Sequence, residues 1–247
     1  MLPGVPIPLR LDPGFWWLAR ADAISSQLIE GRFEVPERRL FRDLLEPGMT
    51  VIDIGANAGI YTMTAARRVG PRGRVIAFEP SAREREQLAR HLALNRIDNV
   101  RVESIALGAA DGDTDFFIAA AFDTGFNSRV AMPGVSTTHE RVPMCRLDTY
   151  ADRVKLERVD IVKIDIEGGE RDVLAGGSEV FRRLRPILLC EIEPARIEPW
   201  GYAPREIYDS VRAWDYDWFT ISDAGVIPLG DAAPPKFGGN YLARPRR

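Results

Sequence analysis

Residues 51–59 read Val-Ile-Asp-Ile-Gly-Ala-Asn-Ala-Gly, an apolar run that ends in an acid and breaks into a turn of small residues. Residues 74–79, Arg-Val-Ile-Ala-Phe-Glu, form a second such run. Continuous rather than alternating apolar residues suit parallel strands covered on both faces. In the turn between them, Gly55 and Gly59 let backbone pass close to a ligand. Glu79, at the tip of the second strand, stands where a carboxylate accepts hydrogen bonds from both hydroxyls of a ribose. The two strands therefore predict the nucleoside-binding half of a parallel sheet.

The turn narrows the choice of nucleoside. Dinucleotide folds carry G-x-G-x-x-G, whose glycines bring a helix N-terminus to a pyrophosphate. Here the turn is Gly55-Ala56-Asn57-Ala58-Gly59, with Asp53 just ahead of it. An acid at that point repels a pyrophosphate but attracts the ammonium group of an amino acid. This favours S-adenosylmethionine over NAD, with Asp53, Gly55, Asn57, Gly59 and Glu79 as its contacts. The bland alternative is a strand-turn-helix that holds no ligand.

Four stretches carry a family resemblance: Asp53 to Gly59, Phe78 to Pro80, the pair Leu147-Asp148, and Lys-Ile-Asp-Ile-Glu-Gly-Gly-Glu at Lys163 to Glu170. Together they resemble the FkbM family of S-adenosylmethionine-dependent methyltransferases. The likeness runs from about Gly31 to Pro194, with a fainter echo at Asn240 to Arg244, and its most specific segment is Lys163 to Glu170. It implies an α/β, Rossmann-like class I methyltransferase fold, a mostly parallel seven-stranded sheet with helices on both faces. It also implies O-methylation of a hydroxyl on a sugar, glycan or secondary metabolite. Glu34, in Gly31-Arg32-Phe33-Glu34, matches a Gly-aromatic-acid pattern of the family and is expected at the cofactor mouth. A plain turn between two helices explains it equally well.

Composition sets wider bounds. A chain of 247 residues accommodates one α/β domain (46–247) preceded by an N-terminal arm and helices (1–45). A net charge of -3 argues against a nucleic-acid partner, since no basic stripe precedes the Arg-Pro-Arg-Arg tail. Cys145 and Cys190 lie in apolar runs and are expected to be buried free thiols. With no leader-like start and no membrane span, a cytoplasmic location is the default. Phe15, Trp16 and Trp17 read as cover for a core, or as a contact in a homo-oligomer, in preference to a membrane anchor.

Along the chain, Met1 to Gly14 reads as an extended arm, followed by helices over Ala21–Glu30 and Pro36–Leu45. A crossover helix over Ala58–Val69 follows the first strand, and Ser81 with Glu84 predicts a capping box opening a helix to about Asn95. Further strands are expected over Asn99–Leu107, Asp115–Ala119, Val142–Leu147, Val159–Asp165 and Ile187–Glu193. Trp218–Ile221 and Asn240–Arg244 are expected to close the sheet as an antiparallel pair. Asp148 is expected to cap the short helix after it. Asp172–Leu184 and Pro204–Trp214 read as helices. Ala120 to Arg141 is a long polar loop, expected to be an acceptor-side lid.

Ligands of open parallel sheets sit beyond the carboxyl ends of the strands. Asp165 and Glu191 lie at such ends, and Glu167 follows Asp165 at the mouth, so these three are the candidate catalytic acids. Each could take a hydroxyl proton; together they are compatible with Mg²⁺, which is not favoured. Lys163 reads as a buried ion-pair partner or a catalytic group, and Glu170 as a helix cap. His139, in the long loop, is a further candidate base, whereas His91 is expected to pack in a helix. The Asn/Asp-Pro-Pro-aromatic signature of many amino-group methyltransferases is absent after the fourth strand. The competing readings are an NAD-dependent oxidoreductase and a cofactor-binding module without catalysis.

Overall fold

The computed structural model describes residues 6–230 and 233–246. A hairpin of β1 (Ile7–Leu11) and β2 (Phe15–Ala19) precedes helices α1 (Ala23–Ile29) and α2 (Val35–Leu44). Next come β3 (Thr50–Ile54), α3 (Ile60–Val69), β4 (Arg74–Phe78), α4 (Ala82–Leu94) and β5 (Val100–Glu103). A small sheet of β6 (Ala106–Leu107), β7 (Gly112–Ala119) and β8 (Thr137–Cys145) then interrupts the alternation. It resumes with α5 (Leu147–Val154), β9 (Ile161–Ile164), α6 (Glu170–Gly176), α7 (Ser178–Leu184), β10 (Ile187–Glu191), α8 (Pro194–Ile197) and α9 (Pro204–Arg212). Last are β11 (Tyr216–Ser222), β12 (Gly225–Pro228) and β13 (Asn240–Pro245).

The main sheet runs β12-β11-β13-β10-β9-β3-β4-β5. Neighbours from β10 to β5 are parallel, while β13 is antiparallel to both β10 and β11. The expected Rossmann-like fold is thus present with an eighth strand, because the chain turns straight back after β11 and pairs with it as β12. Strand alternation divides the core. Ile52, Ile54, Phe78, Val162 and Ile164 pack on one face with α5, α7 and α9. Val51, Val75 and Ile161 pack on the other with α3, α2 and the buried Phe15 and Trp17 of the hairpin. Each such buried side chain contributes about 1.5–3 kcal/mol to holding the strands against the helices. Strand order reverses between β3 and β9, so a crevice opens at their carboxyl ends.

Several local expectations are corrected. The arm is one strand of the β1–β2 hairpin from Ile7 onward, and its first five residues lie outside the described ones, as does Arg247 of the basic tail. Trp16 is 44 % exposed, while its neighbours Phe15 and Trp17 are core. The Asn99–Leu107 strand breaks after Glu103, and Ala106–Leu107 leaves to pair with β8. Ser81 does not form a capping box; its hydroxyl has no hydrogen-bond partner among the described residues, and Glu84 is drawn into an ion pair with Arg83 at 2.6 Å. Asp148 caps a different helix, accepting the N–H groups of Glu179 and Val180 at the start of α7. The helix expected over Asp172–Leu184 is two, divided at Gly176-Gly177. The long loop is shorter than predicted, since β8 already begins at Thr137. Cys145 and Cys190 are buried free thiols, and no helix among the described residues is long and apolar enough to cross a membrane.

Candidate active site

A cavity of about 220 Å³ opens at the crevice, lined by the β3–α3 turn, the tip of β4, the residues after β9, and segments of α1 and the 120–136 loop. Gly55 and Gly59 both adopt left-handed backbone, φ +84° and +97°. A Cβ on Gly55 would lie 1.9 Å from the carbonyl oxygen of Asp165, and one on Gly59 would lie 2.3 Å from Leu88 Cδ1 of α4. The turn therefore needs glycine for two packing reasons, strand-end to strand-end and turn to helix.

Glu79 is 4 % exposed and faces this cavity. Its carboxylate accepts the N–H of Asn57 at 2.8 Å and of Ser81 at 2.8 Å, so it braces the turn against the start of α4. Burial pushes its pKa up to about 7 against those two hydrogen bonds. Asp53, fully buried, accepts the Thr62 hydroxyl at 2.6 Å; burial raises its pKa and the charge of Lys163 opposes the rise. Glu34, in a left-handed turn ahead of α2, accepts the Tyr61 hydroxyl at 2.6 Å and also lines the cavity. Glu34 is thus the turn residue between α1 and α2 and at the same time part of the cavity wall.

On the other side of the cavity, Asp165, Glu167 and Glu191 each bring a carboxylate oxygen within 4.8 Å of the others. Asp165 follows β9 directly and accepts the Lys163 ammonium at 2.7 Å. Glu167 sits in a left-handed turn, φ +59°, where Arg196 of α8 approaches it at 2.7 Å, too obliquely for a hydrogen bond but as an ion pair. Glu191 ends β10, and among the described residues its carboxylate has no hydrogen-bond or ion-pair partner. Burial raises the pKa of both Glu167 and Glu191 well above the carboxylate range, and the neighbouring acids add to it. Burial and mutual repulsion therefore both favour proton uptake by Glu167 and Glu191. Glu170 is not part of it: its carboxylate accepts the Ile166 and Gly168 N–H groups and fixes the turn that carries Glu167.

His139 is not at the site. The β7–β8 register sets it opposite Phe117, and its imidazole lies 2.9 Å from Asp115 on the half-exposed outer face of the hairpin. Phe116, one residue away and pointing the opposite way, is the residue that lines the cavity. His91 is core: it stacks on Trp17 at 4.0 Å, accepts the Leu18 N–H and donates to the Ala58 carbonyl. Sequence reasoning misses Tyr61, Arg196 and Phe126. The guanidinium of Arg196 stands 3.9 Å from the Phe126 ring, joining the loop to the acid cluster. Only Arg196 leaves a signal, since it follows the tip of a core strand; Tyr61 and Phe126 reach the cavity by folding alone.

A family model for the methyltransferase FkbM domain matches residues 53–217, the span that contains the turn, Glu79 and the acid cluster. This places the protein among the S-adenosylmethionine-dependent methyltransferases. Within them, the chain belongs to the FkbM methyltransferase domain family. It is 27 % identical to methyltransferase sdnD of Sordaria araneosa, over 60 % of this chain and 68 % of that one. It is 25 % identical to the 2-O-methyltransferase NoeI of Sinorhizobium fredii, over 60 % of this chain and 65 % of that one. Against the antimetabolite synthetase AmbE of Pseudomonas aeruginosa the identity is 29 %, over 59 % of this chain but 8 % of the synthetase. The chain therefore spans anything from a small fraction to about two thirds of the relatives it matches. The solved structure of an FkbM methyltransferase from Methylobacillus flagellatus KT superimposes with a TM-score of 0.49 at 14 % identity, over 89 % of this chain and 54 % of that one.

Proposed function

We propose that this protein transfers a methyl group from S-adenosylmethionine to a hydroxyl oxygen of a small acceptor: a sugar, a glycan or a secondary metabolite. The observation that carries the reading is the convergence of Asp165, Glu167 and Glu191 on the cavity wall facing the Gly55–Gly59 turn. NoeI, named a 2-O-methyltransferase, supports oxygen as the acceptor atom. The cavity fits the cofactor: Glu79 offers the second lone pairs of a buried carboxylate to a ribose, and Asp53 with Glu34 offers negative charge to an ammonium group.

The bound cofactor supplies a methyl carbon activated by a sulfonium. The chain's own residues do the rest. Asp165 has one oxygen held by Lys163, and its other oxygen accepts the proton of the acceptor hydroxyl. Glu191 and Glu167, on the same cavity wall, hydrogen-bond the acceptor and fix its approach. Loop residue Phe126 and helix α1 form part of the cavity wall and limit the access of water to it. Lys163 and Arg196 already compensate two of the three acids, so the reading requires no Mg²⁺.

Transfer of labelled methyl from S-adenosylmethionine to a panel of polyols, with and without chelator, tests the reaction. Asp165→Asn should retain cofactor affinity and lose about 100-fold or more in turnover, the scale of a lost general base. Near-normal turnover in that variant would overturn the assignment.

A further inference from the structure

Lys163 is 2 % exposed and stands on β9 directly opposite Asp53 of β3 in the parallel register. Its ammonium lies 2.7 Å from Asp165 Oδ2 and 4.3 Å from the centre of the Tyr61 ring. The Tyr61 hydroxyl binds Glu34, and the next residue of α3, Thr62, binds Asp53. The groups facing the ammonium are thus Asp53 from β3, Tyr61 from α3, Glu34 ahead of α2, and Asp165 after its own strand. Burial opposes the charge of Lys163, but Asp165, Glu34 and Asp53 together outweigh it and hold the lysine protonated. A permanent cation therefore lies between the acids of the cofactor half of the cavity and the acid cluster of the acceptor half.

We propose that Lys163 is a positioning residue for methyl transfer: it binds one oxygen of Asp165, aims the other at the acceptor, and keeps the acid cluster ionised enough to take a proton. The proposal rests on the reading of Asp165 as proton acceptor. Lys163 touches neither acceptor nor transferred methyl; it acts through Asp165. A buried ammonium is suited to this because its charge is undiminished by water, and the π face of Tyr61 provides a further favourable contact. Its charge extends to Glu167, whose pKa it lowers against burial and the neighbouring acids. Taking the cation away leaves the cluster with more negative charge to spread, so its protons are held to higher pH.

The test is the pH dependence of kcat in Lys163→Met, Lys163→Arg and Asp165→Asn, each checked for folding by thermal melting and for cofactor binding by calorimetry. In Lys163→Met the acid limb should move up by about one pH unit or more, the scale for losing an opposite charge at contact distance. Lys163→Arg, which restores the cation, should return the limb towards its original position. If Lys163→Met does not fold, Lys163→Gln, which keeps an N–H donor without charge, should show the same displacement. A lower kcat with an unmoved acid limb in the uncharged variants would overturn the proposal and leave Lys163 a structural ion-pair partner. Normal turnover in Asp165→Asn would overturn it by another route, since the base through which Lys163 acts would then be absent. The two failures are distinguishable, because the first leaves Asp165→Asn inactive.

Discussion

The backbone of Gly55 and the carbonyl of Asp165 approach so closely that a single added carbon on the glycine would lie 1.9 Å from that oxygen. The Gly55–Gly59 turn and the backbone of Asp165 are therefore one packed unit, and adding bulk to the turn displaces that backbone. Gly55→Ala should cost about 3 kcal/mol of stability, from left-handed backbone together with overpacking. It should also lower both cofactor affinity and turnover, even though the residue carries no chemistry. Urea unfolding and calorimetry measure these; a variant as stable as the parent would show that the two strand ends can separate freely.

Glu79 braces the turn through two backbone N–H groups while facing the cavity, and burial lifts its pKa to about 7. Glu79→Ala should weaken S-adenosylmethionine binding by about 1.5–3 kcal/mol, the scale of hydrogen bonds to a charged group. Since the ionised form is the stronger acceptor, parental affinity should rise as pH increases through about 7. Titrations at pH 6 and pH 8 in both proteins check this, and equal pH dependence in Glu79→Ala would assign the effect to another group.

His139 is the candidate that the strand register removes. Its side chain is bound to Asp115 on the outside of the β7–β8 hairpin, so His139→Ala should leave turnover within about twofold of the parent, the ordinary outcome for a surface substitution away from the chemistry. A loss of about 100-fold, as for a general base, would mean that the hairpin rearranges when the acceptor binds.

How much the sequence reveals follows from where each residue draws its constraint. Strands β3, β4, β9 and β10 are legible because burial on both faces demands unbroken apolar runs. The acids Asp53, Glu79, Asp165 and Glu191 are legible because a parallel sheet gathers its carboxyl ends on one rim. The first half of β8 is hard to read: residues 137–141 are mostly exposed, so no hydrophobic alternation marks them, and His139 consequently reads as part of a loop. The failed capping box has a comparable cause, because Arg83 and the loop residue Asn127 compete for Glu84 and only the folded chain brings Asn127 there. Tyr61 and Phe126 reach the cavity from elements whose local sequence reports burial alone.

The 120–136 loop is tied down at several points rather than free. The Phe122 carbonyl accepts the Ala23 N–H, the Ser128 hydroxyl donates to the Glu167 carbonyl, and Phe126 lies under Arg196. Phe126→Ala should release Arg196 from the ring and loosen the loop, raising the acceptor KM more than it alters cofactor affinity. Hydrogen exchange over this segment should slow when cofactor and acceptor are both present. Equal protection with and without ligands would remove its role as a lid.

His91 makes stability depend on pH in a defined window. The ring is fully buried against Trp17, accepts the Leu18 N–H and donates to Ala58, and burial lowers its pKa from 6.5 to about 4. The unfolded chain therefore binds a proton at higher pH than the folded chain, and between pH 6.5 and about 4 acidification favours unfolding. At about 1.4 kcal/mol per pH unit, His91 should remove about 3 kcal/mol of stability across that interval. Glu79 and Glu170 work in the opposite sense. Their folded pKa values of about 7 exceed the ordinary 4.5, so what they contribute at low pH is lost as pH rises. The measurement must therefore isolate the histidine. Urea unfolding of the parent and of His91→Gln from pH 4 to pH 7 should give a stability difference that widens in the parent's favour as pH rises, then levels off above about 6.5. A difference independent of pH would mean that the imidazole becomes protonated in the folded protein without leaving its pocket.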